Sequence, residues 1–252
     1  MGIGRRASER PIARVIAEFA RVRPSAFFVQ VGAHDGTALD PLRREILRRA
    51  WRGILVEPVP YVFARLEANY EDNGRLVFEN VAIADHDGSR ALYHLPPEPA
   101  GSPLWEWYDA LGSFRREVVA SHRWLIPDID ERIVSTDVPC VTFDTLCRKH
   151  EVERVDVVQI DTEGYDLEIL ELIDFERYRP QLVMYEHLHL DPADQERARE
   201  LLRSRDYELV GDGMDVLAVH RLTLESHRRL RRAWRRAEAA SNAGPTKSPM
   251  RP

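Results

Sequence analysis

Lysine is nearly missing from this chain. Of 36 basic residues only Lys149 and Lys247 are lysines, and the rest are arginine, a bias of genome composition rather than of chemistry. Cysteine is scarce too. Cys140 and Cys147 are too few for a disulfide scaffold, and their spacing matches no zinc motif, so two semi-buried thiols in a reducing compartment are expected. No run of about 18 apolar residues occurs, which excludes a transmembrane helix. The first thirty residues are studded with charge (Arg5, Arg6, Glu9, Arg10, Arg14, Glu18, Arg21) and show no apolar secretory core, so a cytoplasmic location is expected. The chain also lacks the Gly-x-Gly-x-x-Gly of dinucleotide binders and the Gly-Lys-Ser/Thr of phosphate loops. No internal repeat is present.

What remains is an ordinary globular composition. The chain has 252 residues, 44% hydrophobic and 31% charged, enough to bury a sizeable core. The net charge is −6 and unevenly spread: residues 221–252 hold nine Arg or Lys and two Glu, so this tail is +7 and the body −13. An acidic body argues against a nucleic-acid partner.

The hydrophobic pattern alternates between two periods. Ile12, Val15, Ile16 and Phe19 form a helical stripe that Pro24 ends. Phe27–Gly32 reads as a buried strand, Asp40-Pro41 as a helix start, Gly53–Glu57 as a second strand, and Pro60 opens a further helix. Leu76–Ala82 reads as a third strand, and Asp87-Gly88 as a turn into Ala91–Leu95. Strands at Val138–Phe143, Val155–Asp161 and Gln181–Glu186 follow, with helices between them, and a hairpin around Gly211-Asp212-Gly213 closes the pattern. The expectation is an α/β fold: a doubly wound, mostly parallel Rossmann-like sheet ending in an antiparallel hairpin. The expected organisation is an N-terminal helix over 1–24 and a main domain over 25–225. That domain is interrupted at about 96–137 by an insertion rich in proline and in Trp105, Trp107, Tyr108 and Trp124. A basic helix and a disordered tail follow over 226–252, the helix solvated and the tail starting at Ser241.

Ligands of such sheets bind at the carboxyl ends of the strands. Those ends carry Gly32-Ala33-His34-Asp35-Gly36, Glu57-Pro58, Asn80, Asp161-Thr162-Glu163-Gly164 and Glu186-His187, an acid at four of five positions. A glycine turn permits close backbone approach, and an acid ending the second strand suits ribose hydroxyls. Capping the next helix is the competing role for Glu57. A ribose acid without phosphate machinery suits a nucleoside lacking phosphates, of which S-adenosylmethionine is one.

Four blocks in register, Val29–Gly36, Val56-Glu57-Pro58, Asn80–Ile83 and Ile160–Asp166, resemble the signatures of the FkbM-type methyltransferases, class I enzymes that use S-adenosylmethionine and mostly O-methylate sugars and natural products. The resemblance runs from about Phe27 to His187. It implies that Gly32, Ala33, Asp35 and Gly36 line the methionine part of the cofactor, that Glu57 and Pro58 face the ribose, that Asn80 and Val81 flank the adenine, and that Ser113 and Asp161 lie near the cofactor. By similarity to Mg²⁺-dependent class I enzymes, Asp161 and Glu186 are candidate metal ligands.

Methyl transfer to a hydroxyl requires alignment and removal of a proton, by a general base or with a divalent metal. Asp161 and His187 are the candidate catalytic groups. His187 and His189 alternate and share a face if their strand continues, while His34, Tyr165 and Asp166 lie nearby. The expected activity is O-methylation of a saccharide or glycosylated small metabolite, with the aromatic insertion covering the acceptor. Alternatives are N- or O-methylation of a non-sugar metabolite, or a non-catalytic nucleoside-binding module. An RNA substrate is disfavoured by the acidic body and by the lack of an Asn-Pro-Pro-Tyr clamp. Self-association stays open.

Overall fold

The computed structural model describes residues 11–37, 40–71, 73–98 and 108–242. In chain order the strands are β1 (Phe27–Val31), β2 (Arg52–Val56), β3 (Leu76–Glu79), β4 (Ala82–Ile83), β5 (Gly88–His94), β6 (Gly112–Ser113), β7 (Val134–Val141), β8 (Val157–Ile160), β9 (Leu182–Glu186), β10 (Tyr207–Gly211) and β11 (Asp215–His220). Seven of them form one sheet in the order β10-β11-β9-β8-β1-β2-β3. The run from β9 to β3 is parallel, and β11 pairs antiparallel with both β9 and β10. The strand order reverses between β1 and β8, so a crevice opens there at the carboxyl ends.

The strands are apolar on both faces because both are covered. Val29, Val31, Ile54, Val56, Val158 and Ile160 share one core with Phe143, Leu167 and Leu170. Phe28, Leu55, Val157 and Leu182 pack into the other with the helix Pro11–Val22. The helix Arg228–Asn242 joins that second core through Leu230, Ala233, Trp234 and Ala237. The basic segment is therefore packed along one face rather than solvated all round. Its alanines extend the Leu230–Trp234 stripe, and Ser241 and Asn242 are helical rather than tail. Residues 243–252 lie outside the described residues.

A second sheet, β4-β7-β5-β6, leans against the first. The expected strand Leu76–Ala82 is thus two strands in different sheets. Asn80 sits at the break, its Nδ2 donating to the carbonyls of Glu57 (2.8 Å) and Pro58 (3.1 Å). Part of the expected insertion is also regular: Leu95, Tyr108, Leu111, Val119, Ile126 and Ile129 form a small core of their own. Trp105 and Trp107 fall outside the described residues. Asp40 behaves as a cap two residues early. Its Oδ1 accepts from the backbone N–H groups of Leu42 and Arg43, ahead of a helix over Arg43–Arg48. Both cysteines are buried thiols.

The tightest point of the sheet is the end of β1. Gly32 has φ +74°, and a Cβ there would lie 1.7 Å from the carbonyl oxygen of Asp161. Gly32→Ala is expected to cost at least ~3 kcal/mol, through backbone strain and forced separation of β1 from β8. Gly213→Ala, at φ +98° with open space around it, should cost only about 1–2 kcal/mol. Paired thermal melts of the two variants check this.

Candidate functional site

A cavity of about 340 Å³ opens at the carboxyl ends of β1, β2, β8 and β9, within the usual size of small-molecule sites. β1 delivers Gly32, Ala33 and His34. Here Gly32 and Ala33 both donate to the carbonyl of Val56, while His34 is held at φ 48°. The Glu57 carboxylate receives this turn: Oε2 accepts from the His34 N–H (3.0 Å) and Oε1 from the Val59 N–H (2.9 Å). Glu57 thus braces the entry to the next helix and also lines the cavity. Burial pushes its pKa up to about 7.

Carboxylates crowd the far end. One oxygen each from Asp161, Glu163 and Glu186 lie within 4.8 Å of one another. Burial, then the neighbouring acids, drives the pKa of both Asp161 and Glu186 upward. Glu186 Oε2 makes no hydrogen bond among the described residues; its nearest cationic group is His189 Nε2 at 3.9 Å. Beneath them Asp166, fully buried, ties β8 to β9: it accepts from Thr162 Oγ1 (2.9 Å) and from the Glu186 N–H (3.1 Å), and burial lifts its pKa to about 7. Ser113 Oγ donates to the Glu163 carbonyl (2.7 Å), fixing the loop from the other sheet.

Gly32, Ala33, Glu57, Pro58, Val81, Asp161 and Glu186 all line this cavity. Asp35, Gly36, Asn80, Ser113 and His187 are not among its lining residues. Asp35 accepts from both Thr37 N–H and Oγ1, and Gly36 packs its backbone on Tyr70 and Leu66. Asn80 and Ser113 hold backbone carbonyls. His187 and His189 do not share a face, because β9 stops at Glu186. His187 turns to Arg199 (Nδ1 to Nη2, 3.0 Å), and burial, with that arginine, lowers its pKa. His189 enters the cavity instead, with Nε2 2.8 Å from Glu163 Oε2. Burial opposes its charged form, but Glu163 outweighs that and raises its pKa.

Four polar lining residues went unmarked in the sequence. Asp109 and His122 come from the irregular stretch, which has no period to read. Asp109 bridges His34 Nε2 (2.9 Å) and Arg65 (2.7 Å). Gln30 and Gln159 did leave a signal. Each is the polar residue of an apolar strand, and they sit in register on β1 and β8, buried, with neither Oε1 hydrogen-bonded among the described residues.

The family model described as the methyltransferase FkbM domain matches residues 30–209. No curated protein is similar enough to count as a match. Among solved structures, the chain is similar to a methyltransferase FkbM from Methylobacillus flagellatus KT, with 13% identity and a TM-score of 0.48 over 78% of this chain and 44% of that one. An O-methyltransferase from Bacillus cereus, in complex with SAH, is 12% identical with a TM-score of 0.44 over 82% and 80%. Aeropyrum pernix fibrillarin, with natively bound S-adenosyl-L-methionine, is 12% identical with a TM-score of 0.43 over 84% and 76%. The chain spans under half the length of the first of these. With TM-scores below 0.5, none of the three bears on the activity of this chain.

The crowded acids make a pH prediction. Glu57, Asp161, Asp166 and Glu186 all have folded pKa values above their ordinary values of 3.8 or 4.5. The folded state therefore binds more protons than the unfolded one. Its stability is fullest below the ordinary carboxylate range and falls as pH rises through about 7. The ligand-free protein in metal-free buffer should melt lower at about pH 8 than at about pH 5. Glu186→Gln should raise the Tm at the higher pH and flatten the slope.

Proposed function

The chain belongs to the methyltransferase FkbM domain family, and from that membership we propose an S-adenosylmethionine-dependent O-methyltransferase acting on a hydroxyl of a saccharide or glycosylated small metabolite. One observation carries this reading. Asp40, Glu57, Asp109, Asp161, Glu163 and Glu186 line a single cavity, and no Lys or Arg is among its described lining residues. That potential repels phosphates and favours a nucleoside bearing positive charge. A sulfonium with an α-ammonium group is such a ligand, so the donor set fits it.

When bound, S-adenosylmethionine supplies a methyl group already activated on sulfur. The protein's residues then position and deprotonate. Glu57 accepts from ribose hydroxyls with the lone pairs its two backbone contacts leave free, and Val81, Ile83 and Leu111 offer an apolar slot for a base. With the cofactor held by Glu57 and the turn after β1, an acceptor hydroxyl aligned by the cavity would receive that methyl group. Asp161 takes the hydroxyl proton; burial makes it a stronger base than an exposed carboxylate. Asp161 and Glu186 also fit a hard divalent ion, because they converge and Glu186 Oε2 is otherwise unsatisfied. Mg²⁺ there would lower the pKa of an acceptor hydroxyl.

The rim supports the acceptor class. Trp124 is 67% exposed where it lines the cavity, a face on which a sugar ring can stack. Leu188 and Met214, also exposed lining residues, add an apolar surface suited to an aglycone.

Glu57→Gln should weaken S-adenosylhomocysteine binding about tenfold or more by calorimetry, since a ~1.4 kcal/mol loss is tenfold. Wild-type affinity should rise as pH climbs through about 7, where Glu57 ionises. Unchanged affinity would remove the ribose role. Asp161→Asn should lower kcat on a sugar acceptor by about 10²-fold or more. EDTA should abolish wild-type turnover and Mg²⁺ restore it; turnover indifferent to EDTA would leave proton removal to the carboxylate alone.

A further inference from the structure

The carboxylate trio is not the only ligand-like cluster in the cavity wall. His122, Glu163 and His189 come from three separate segments, and one donor atom from each lies within 4.8 Å of the others. All three line the cavity. We propose that these residues form a binding site for a divalent transition-metal ion of the Zn²⁺ or Co²⁺ type, through two imidazoles and one carboxylate, with its remaining positions open to the cavity.

The donor set selects the ion. Imidazole nitrogen suits zinc, cobalt, nickel and iron, whereas Mg²⁺ takes oxygen. Small side-chain rotations would bring donors at this spread to the roughly 2.0–2.2 Å of metal–nitrogen and metal–oxygen bonds. Two imidazoles and a carboxylate leave coordination positions for water or a substrate oxygen, as in catalytic rather than structural sites.

Each ligand is oriented by something behind it, as metal ligands generally are. His122 Nδ1 lies 3.2 Å from the carbonyl of Val118. A carbonyl only accepts, so in that contact Nδ1 is the donor, and Nε2 is the nitrogen assigned to the metal. The two imidazole rings lie 5.4 Å apart, tilted by 54° rather than stacked. Glu163 is held in the left-handed region at φ 51°. Ser113 pins its carbonyl from the second sheet, leaving the carboxylate aimed at His189 Nε2, 2.8 Å away. A His189–Glu163 ion pair alone would explain that contact but not the third donor converging on it.

Glu163 belongs to both clusters, and the proposal assigns it to the histidines. Asp161 and Glu186 keep the oxygen-only site. The metal site stands without the methyl-transfer reading. Only its use, holding an oxygen of the acceptor at the cavity mouth, rests on that reading.

The test uses the full chain, stripped with chelator, and Co²⁺ or Zn²⁺ alone. Co²⁺ titration should give the visible d–d bands of a low-coordinate ion with nitrogen ligands, and Zn²⁺ should displace it. His122→Ala and Glu163→Gln should each weaken binding tenfold or more, while His187→Ala leaves it unchanged. Far-UV circular dichroism and S-adenosylhomocysteine affinity, read on the same samples, separate misfolding and failure of the cofactor reading from failure of the metal site. The wild-type spectrum needs no variant to fold. Absence of binding at 100-fold excess ion would overturn the proposal. So would binding that Asp161→Asn abolishes and His122→Ala leaves intact, because the oxygen-only cluster would then be the site.

Discussion

Six carboxylates facing one cavity with no lysine or arginine in its described lining is a costly arrangement, and much of the molecule is organised to sustain it. Like charges brought together out of water favour their protonated forms or a cationic guest. Hydrogen bonds supply part of the compensation. Glu57 is held by two N–H groups, and Asp166 by the Glu186 N–H and the Thr162 hydroxyl. Asp109 is the exception: burial opposes its ionisation, but His34 and Arg65 outweigh that and keep its pKa low. At the far end His189 reaches Glu163, but Glu186 Oε2 has no hydrogen bond among the described residues, and that is where a positive ligand gains most.

The same economy explains the close sheet geometry. Only glycine lets the end of β1 pass the Asp161 carbonyl. Asp161 N–H donates to the Val31 carbonyl at 2.9 Å, so the acid's position is set by main chain rather than by a flexible side-chain contact. Asp166 then links the ends of β8 and β9, and Ser113 brings in the second sheet. Residues that the family resemblance placed beside a cofactor, Ser113 and Asn80, hold carbonyls of the residues that do line the cavity.

The seven-stranded sheet was legible because its strands are short apolar runs ending in glycine or an acid, and both signals are local. Strand ends also revealed Glu57, Asp161 and Glu186, since topology alone brings carboxyl ends together. The break at Asn80 was not legible: Leu76–Ala82 is continuously strand-like, and the division depends on an amide reaching two carbonyls some twenty residues away. His187 misled for a related reason. Alternation places two histidines on one face only while a strand lasts, and β9 ends at Glu186, before either of them. Asp109 and His122 lie where no period exists, so their approach to Glu57 and Glu163 is a property of tertiary packing. Gln30 and Gln159 were readable in principle, as polar interruptions of apolar strands at matching positions.

The helices Pro11–Val22 and Arg228–Asn242 lie at opposite ends of the described chain, yet Ile12, Val15 and Phe19 share a core with Leu230, Trp234 and Ala237. Chain ends ordinarily fray first and independently. Here, peeling away one helix would strip cover from the apolar stripe of the other, so the two are thermodynamically one cooperative unit. Local opening at either end is coupled across more than 200 residues of sequence, and a lesion in the last helix would be felt as loosening of the first.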